Sequence, residues 1–355
     1  MRLALILPAN VLHAPYLNYY TEILDKTKVQ YDIINWNKLN LKEDIINAYT
    51  FNFKCGYKSN TLSKIVGYYL FSKFVKRILC KEKYDKLIVF IPQFALFLSD
   101  ILSKEYKQKF ILDIRDYGKA NRYIKRLESI INNSEFTVIS SAGYKKWLPL
   151  KYNYVISHNT LFTDYNAIDE RDKFDLRNKT EIIISNIGVI RNYHENCKAI
   201  DSFKQSTKFK LRYIGKGICE EDLKKYCNNN NIDNVSFHGK YSKNEELRFY
   251  QQSDIINLIV PMNSVGNNSA MANRFYNACI SRCPLIVNKG SYMAEIVKSY
   301  NLGMAMDIDN DNMIEEVSKY INNFDYDKFI KGCKVFLSKI ENEQKIFCEK
   351  VMKFI

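Results

Sequence analysis

The segment from Ser253 to Asp307 constrains this chain most. Residues 255–260 form a short apolar run rich in branched side chains, bounded by Asp254 and Pro261. A loop of small polar residues, 262–272, follows, and residues 273–282 have helical character. Residues 284–288 read as a second buried strand, 292–300 as another helix and 303–306 as a third strand. Buried strands alternating with helices make a parallel α/β unit, because a parallel neighbour needs a crossover connection. In such sheets ligands bind beyond the carboxyl ends of the strands. A helix that starts there aims unpaired N–H groups at an anion.

The same rhythm fills the rest of the chain. Residues 3–7, 87–91, 110–114, 137–140 and 154–157 are short apolar runs with helical patterns between them, and 181–185, 211–214 and 235–237 open a second series. Residues 162–180 are polar and charged with no apolar period, which marks a link. A chain of 355 residues exceeds the usual single core. The reading is an α/β protein of two Rossmann-like domains facing across a cleft, 1–165 and 166–326, followed by a helical tail, 327–355.

Nine cysteines are scattered without a single CxxC, which points to a reducing cytoplasm and no structural metal. The longest apolar region, 87–102, is interrupted by Pro92 and cannot span a bilayer. Asp307, Asp309 and Asp311 suggest a metal loop, but a calcium loop needs Gly at its sixth position and Glu at its twelfth, where Asn312 and Ser318 stand. A turn with Asp311 capping the next helix is preferred. The formal net charge of +14 favours anionic partners. No nucleic-acid module accompanies it. Residues 56–86 concentrate that charge, with Lys58, Lys73, Lys76 and Arg77 among Tyr57, Tyr68, Tyr69, Phe71 and Phe74. This is either a solvated helix with an ordinary core face or an attachment to an anionic membrane surface through Lys73, Lys76 and Arg77.

Two strand ends carry glycine beside a basic residue. Asn186-Ile187-Gly188-Val189-Ile190-Arg191 offers Gly188 for close backbone approach and Arg191 as a fork for phosphate. Tyr213-Ile214-Gly215-Lys216-Gly217 repeats the device with Lys216. No GxGxxG follows residues 3–7 and no GxxxxGK[ST] exists, so dinucleotide dehydrogenases and P-loop kinases lose support. Arg115, between Asp113 and Asp116, either pairs with a neighbouring carboxylate or serves a ligand at a strand end. Asp116 is a candidate base, with His13 in the first strand–helix loop as the second. His158 and Asn159 fall where the domains should meet.

In order and spacing, Asp113-Ile114-Arg115-Asp116, Ile139-Ser140-Ser141, Ser157-His158-Asn159, the Gly188 and Gly215 loops, Phe237-His238-Gly239 and Asn273-Arg274-Phe275-Tyr276-Asn277-Ala278 resemble a GT-B glycosyltransferase. The likeness is to the family-4-like (group 1) enzymes of bacterial capsule and O-antigen clusters. It implies an acceptor domain, a nucleotide-sugar domain and C-terminal helices crossing back to the first domain. It also implies donor contacts at Gly188, Arg191, Lys216, His238, Ser269, Asn273 and Asn277. The family's Glu-x7-Glu pair is absent, since Ser269 and Asn277 stand in its places, and Arg115 replaces a histidine that touches the donor sugar. The expected function is hexosyl transfer from a nucleoside-diphosphate sugar, UDP-linked before GDP-linked, to a hydroxyl of a polyprenyl-diphosphate-linked glycan. Arg191 and Lys216 would stabilise the departing diphosphate, with no metal and no further cofactor. A sugar-nucleotide epimerase and a catalytically degenerate glycan-binding scaffold are the alternatives. The expected place is the cytoplasm, at the inner face of the plasma membrane.

Overall fold

The computed structural model describes residues 1–56, 59–160 and 174–355. The chain divides into two compact units, one of residues 1–158 with 342–355, the other of residues 159–341. The boundary expected at 165/166 lies outside the described residues, as do Tyr57 and Lys58 of the basic segment.

The first unit is a seven-stranded sheet of β1 (Arg2–Leu7), β2 (Gln30–Asn37), β3 (Ala48–Asn52), β4 (Lys86–Phe90), β5 (Phe110–Ile114), β6 (Phe136–Ile139) and β7 (Tyr154–Ile156). The spatial order is β3-β2-β1-β4-β5-β6-β7. All pairings are parallel. The central strands are buried on both faces, which is why they read as continuous apolar runs. β2 and β3 give no such run. β2 is nonetheless buried, because its polar side chains find partners: Arg2 Nε and Tyr84 Oη donate to Asp32, Thr50 Oγ1 donates to Asn35, and Asn10 Nδ2 donates to Asn37. Gly67 on the helix Thr61–Glu82 lets Trp36 of β2 pack against that helix, since a Cβ there would come within 2.3 Å of the indole.

The second unit is a six-stranded parallel sheet of β8 (Ile182–Ile187), β9 (Phe209–Ile214), β10 (Val235–Gly239), β11 (Ile255–Asn257), β12 (Leu285–Asn288) and β13 (Gly303–Met306), in the order β10-β9-β8-β11-β12-β13. β11 is shorter than its apolar run. Asn257 Oδ1 accepts the Ile259 N–H and Asn288 Oδ1 accepts the Val260 N–H, so side chains replace the ladder there. The loop after it contains a short helix, Val265–Ser269, with Ser264 as cap. The helix Asn273–Ile280 ends two residues before expectation.

Each sheet reverses its building direction beside its first strand. β1 lies between β2 and β4, and β8 lies between β9 and β11. Such switch points leave a crevice beyond the strand ends because the connections on either side leave in opposite directions. The tail is one helix, Tyr326–Phe354. Phe329, Phe336 and Ile340 are buried in the core of the second unit, Phe347, Val351 and Phe354 in that of the first.

Candidate active site

At the switch point of the second unit, the exits of β8 and β9 run backbone against backbone. Gly188 N–H donates to the Ile214 carbonyl at 2.8 Å and Ile190 N–H to the Lys216 carbonyl at 3.2 Å. A Cβ on Gly215 would lie 1.9 Å from the Gly188 carbonyl oxygen, and one on Gly217 1.9 Å from that of Ile190. Glycine is therefore required at both places, and the contact sets Arg191 and Lys216, both exposed, on adjoining loops. Asn196, buried on the helix Tyr193–Phe203, holds the first loop by donating to the Arg191 carbonyl at 2.7 Å.

A third cation, absent from the sequence reading of the site, completes the group. Arg274 sits in the first turn of the helix Asn273–Ile280 and donates to Asn186 Oδ1 at 2.7 Å. Asn186 in turn donates to Asn196 at 3.0 Å. Burial and the charge of Arg191 pull the Arg274 guanidinium below its ordinary value. Among the described residues, no carboxylate stands at ion-pair distance from Arg191, Lys216 or Arg274. A half-buried cation beside two exposed ones, with no counter-ion at ion-pair distance, is a place for an anion. The signal was available in the sequence: a cation in a helix's first turn opposes the helix dipole and needs a reason.

The remaining expected donor contacts are placed differently from one another. Asn273 is exposed at the helix start, whose cap Ala272 makes no side-chain bond. Asn277 donates to Glu246 Oε1 at 3.0 Å, so a carboxylate arrives beside it from another helix, Glu246–Gln251. Ser269 is turned inward, its hydroxyl donating to the Val265 carbonyl at 2.6 Å, and has a packing role. His238 is exposed, with its ring edge on Phe249.

In the first unit, Asp116 and His13, over 100 residues apart in sequence, line one pocket of about 380 Å³ with Asn10, Tyr16, Lys38 and Tyr68. Arg115 is held inside the first unit. It is 3% exposed, donates to both oxygens of Asp113 at 2.6 Å and to Ser157, and lies over the Tyr16 ring. The buried ion pair with Asp113 engages its guanidinium, so Arg115 holds the end of β5. His158 pairs with Glu343 of the last helix at 2.8 Å. The cap expected from Asp311 is Asn312, because Asp311 accepts the Asp307 N–H and pairs with Lys289. Among the described residues, no three His, Cys, Asp or Glu side chains are grouped to hold a metal ion.

Residues 167–334 match the family model for glycosyl transferases group 1. Solved structures of like shape span the whole chain. HepE of Anabaena, in complex with UDP, has 10% identity and a TM-score of 0.69, covering 99% of this chain and 100% of its own. The sucrose-phosphate synthase of Thermosynechococcus elongatus has 11% identity and a TM-score of 0.68, covering 99% and 98%. The lipopolysaccharide outer core galactosyltransferase WaaB has 15% identity and a TM-score of 0.65, covering both chains fully. The chain has the GT-B fold. No curated protein matches it. These identities establish the architecture, and the family match lies within the second unit. In the GT-B fold of this chain, the uncompensated cations and the matched family segment fall in the same unit.

Proposed function

We propose that this chain transfers a hexose-type sugar from a nucleoside-diphosphate sugar, UDP-linked in preference to GDP-linked, to a hydroxyl of a glycan in surface polysaccharide synthesis. The carrying observation is Arg274 beside Arg191, with Lys216 on the adjoining loop and, among the described residues, no carboxylate at ion-pair distance from any of the three. Negative charge grows on the diphosphate as its bond to the sugar's anomeric carbon breaks and the glycosidic bond to the acceptor oxygen forms, and fixed cations stabilise it most at that moment. Three such groups supply this stabilisation without a metal. Asn277 and Glu246 offer a donor and an acceptor for ribose hydroxyls, which compensates for the missing carboxylate at position 277. In the first unit, Asp116 or His13 takes the acceptor proton if the configuration inverts.

A lipid-linked acceptor is supported by the helix Thr61–Glu82. Its exposed side carries Leu62, Ile65, Val66, Tyr69 and Leu70 at helical spacing, continued by exposed Lys73 and Arg77. Lys76 is held by Asp100 at 2.7 Å and does not join that face. An apolar stripe bordered by cations suits the inner face of an anionic membrane, and no helix among the described residues is long and apolar enough to cross one. HepE has been solved with UDP-glucose, which makes UDP the first nucleotide to test.

The test is calorimetry with UDP and GDP, followed by incubation with nucleotide sugars. UDP binding that Arg191→Ala and Arg274→Ala each weaken supports the site. An isomerised nucleotide sugar without acceptor would favour an epimerase, and no binding of either nucleotide would favour a scaffold.

A further inference from the structure

The pocket of the first unit contains a lysine that the transfer chemistry above does not use. It lies at the switch point of the sheet, beyond the ends of β1, β2 and β4: Pro8, Ala9 and Asn10 follow β1, Lys38 follows β2 and Ile91 follows β4. Ile91 holds φ at 67°, a strained conformation for a branched residue and one that persists mainly at functional sites. The Lys38 ammonium is half-buried, 4.3 Å from the centroid of the Trp36 ring and 4.6 Å from that of Tyr68. Among the described residues its one hydrogen-bond acceptor is Tyr68 Oη at 3.5 Å, although an ammonium carries three donors. Among the described residues, no carboxylate pairs with it.

Three other half-buried or buried cations described in this unit are balanced by carboxylates, and a fourth, Lys86, donates to the Phe354 carbonyl. Arg2 meets Asp32 and Glu82, Arg115 meets Asp113, and Lys76 meets Asp100. Lys38 instead faces a second lysine, Lys64, across the same pocket. Burial lowers the Lys38 ammonium to about 8, against an opposing effect of Cys55 and with a smaller downward contribution from Lys64. A cation held at this cost in an open, aromatic-walled pocket awaits an anion. The carboxylate of Asp116 comes from beyond β5, three strands from β2, a strand-to-strand separation of roughly 14 Å. The pocket is thus cationic at one end and carries its base at the other.

We propose that this pocket binds a sugar bearing a carboxylate or a phosphate, with Lys38 as the counter-ion and with the reacting hydroxyl turned toward Asp116 and His13. Calling this sugar the acceptor rests on the function proposed above, whereas its binding does not.

Calorimetry or saturation-transfer NMR tests it with methyl glucuronide, glucose 6-phosphate, methyl glucoside and inorganic phosphate, on wild type, Lys38→Met and Lys38→Arg. The expected result is that one or both charged sugars bind at least tenfold more tightly than methyl glucoside. Lys38→Met removes that margin, Lys38→Arg keeps part of it, and UDP affinity stays unchanged in both. Whichever charged sugar binds identifies the anion. Equal affinity for charged and neutral sugars, an unchanged margin in Lys38→Met, or inorganic phosphate binding as tightly as glucose 6-phosphate would each overturn the proposal. Glucuronide binding without any UDP binding upholds the pocket and removes the glycosyltransferase reading. UDP binding with transfer to neutral acceptors alone does the reverse.

Discussion

At the scale of single residues, the candidate positions are those where charge is left without a charged partner. Arg274→Met removes a half-buried cation that faces Arg191. Its stability should change by less than about 1 kcal/mol, while turnover falls about 10²-fold, the usual loss of one charge-stabilising donor. Denaturant melts beside initial rates check both. Lys38→Met should stabilise the unliganded protein. Below pH 8 the ammonium is charged in the folded and unfolded states alike, and the folded state bears the cost. Between about 8 and its ordinary value of 10.5 the folded state releases its proton first, so wild-type stability rises with pH relative to the variant. The total change is about 3 kcal/mol, and urea melts from pH 7 to 10.5 measure it. Glycine and basic pairs at Gly188/Arg191 and Gly215/Lys216 were legible in the chain, because chemistry and conformation coincide within a few residues. Glu246 was not, because it reaches Asn277 from 31 positions upstream. Arg115 misled for the opposite reason. Its flanking acids were visible, but not that Asp113 and Ser157 would bury it.

At the scale of elements, strand exits decide the site. Gly215→Ala adds a Cβ at φ 132° directly against the Gly188 carbonyl. It should cost about 2–3 kcal/mol, and more in nucleotide affinity than in secondary structure, as calorimetry with UDP and circular dichroism will show. The helix Thr61–Glu82 supplies the other test. Leu62→Ser combined with Leu70→Ser, both on its exposed side, should leave the melting temperature unchanged and reduce flotation with anionic vesicles. Equal flotation would assign that face to solvent. β5, buried on both faces, and the half-buried edge strand β13 were found in the sequence with their observed bounds. β2 and β3 escaped because β2 buries Asp32, Asn35 and Asn37, whose partners come from other strands and loops, and β3 alternates exposed and half-buried positions at the sheet edge.

At the scale of the whole molecule, the last helix belongs to both units. Truncation after Glu341 removes Phe347, Val351 and Phe354 from the first core, together with the Glu343 partner of His158. Both tryptophans, Trp36 and Trp147, lie in the first unit, so their fluorescence reports its unfolding. That transition should move to lower denaturant by several kcal/mol, on the order of 3–5 for one buried aromatic alone, while UDP binding by the second unit survives. Alternation of buried strands and helices, and glycine beside a cation at two strand ends, were properties of neighbouring residues, and the sequence by itself determined them. Pairing between distant charges was not. Whether a lysine, an arginine or a carboxylate is neutralised or left to meet a ligand depends on which side chains arrive from elsewhere in the chain, and only folding brings those together.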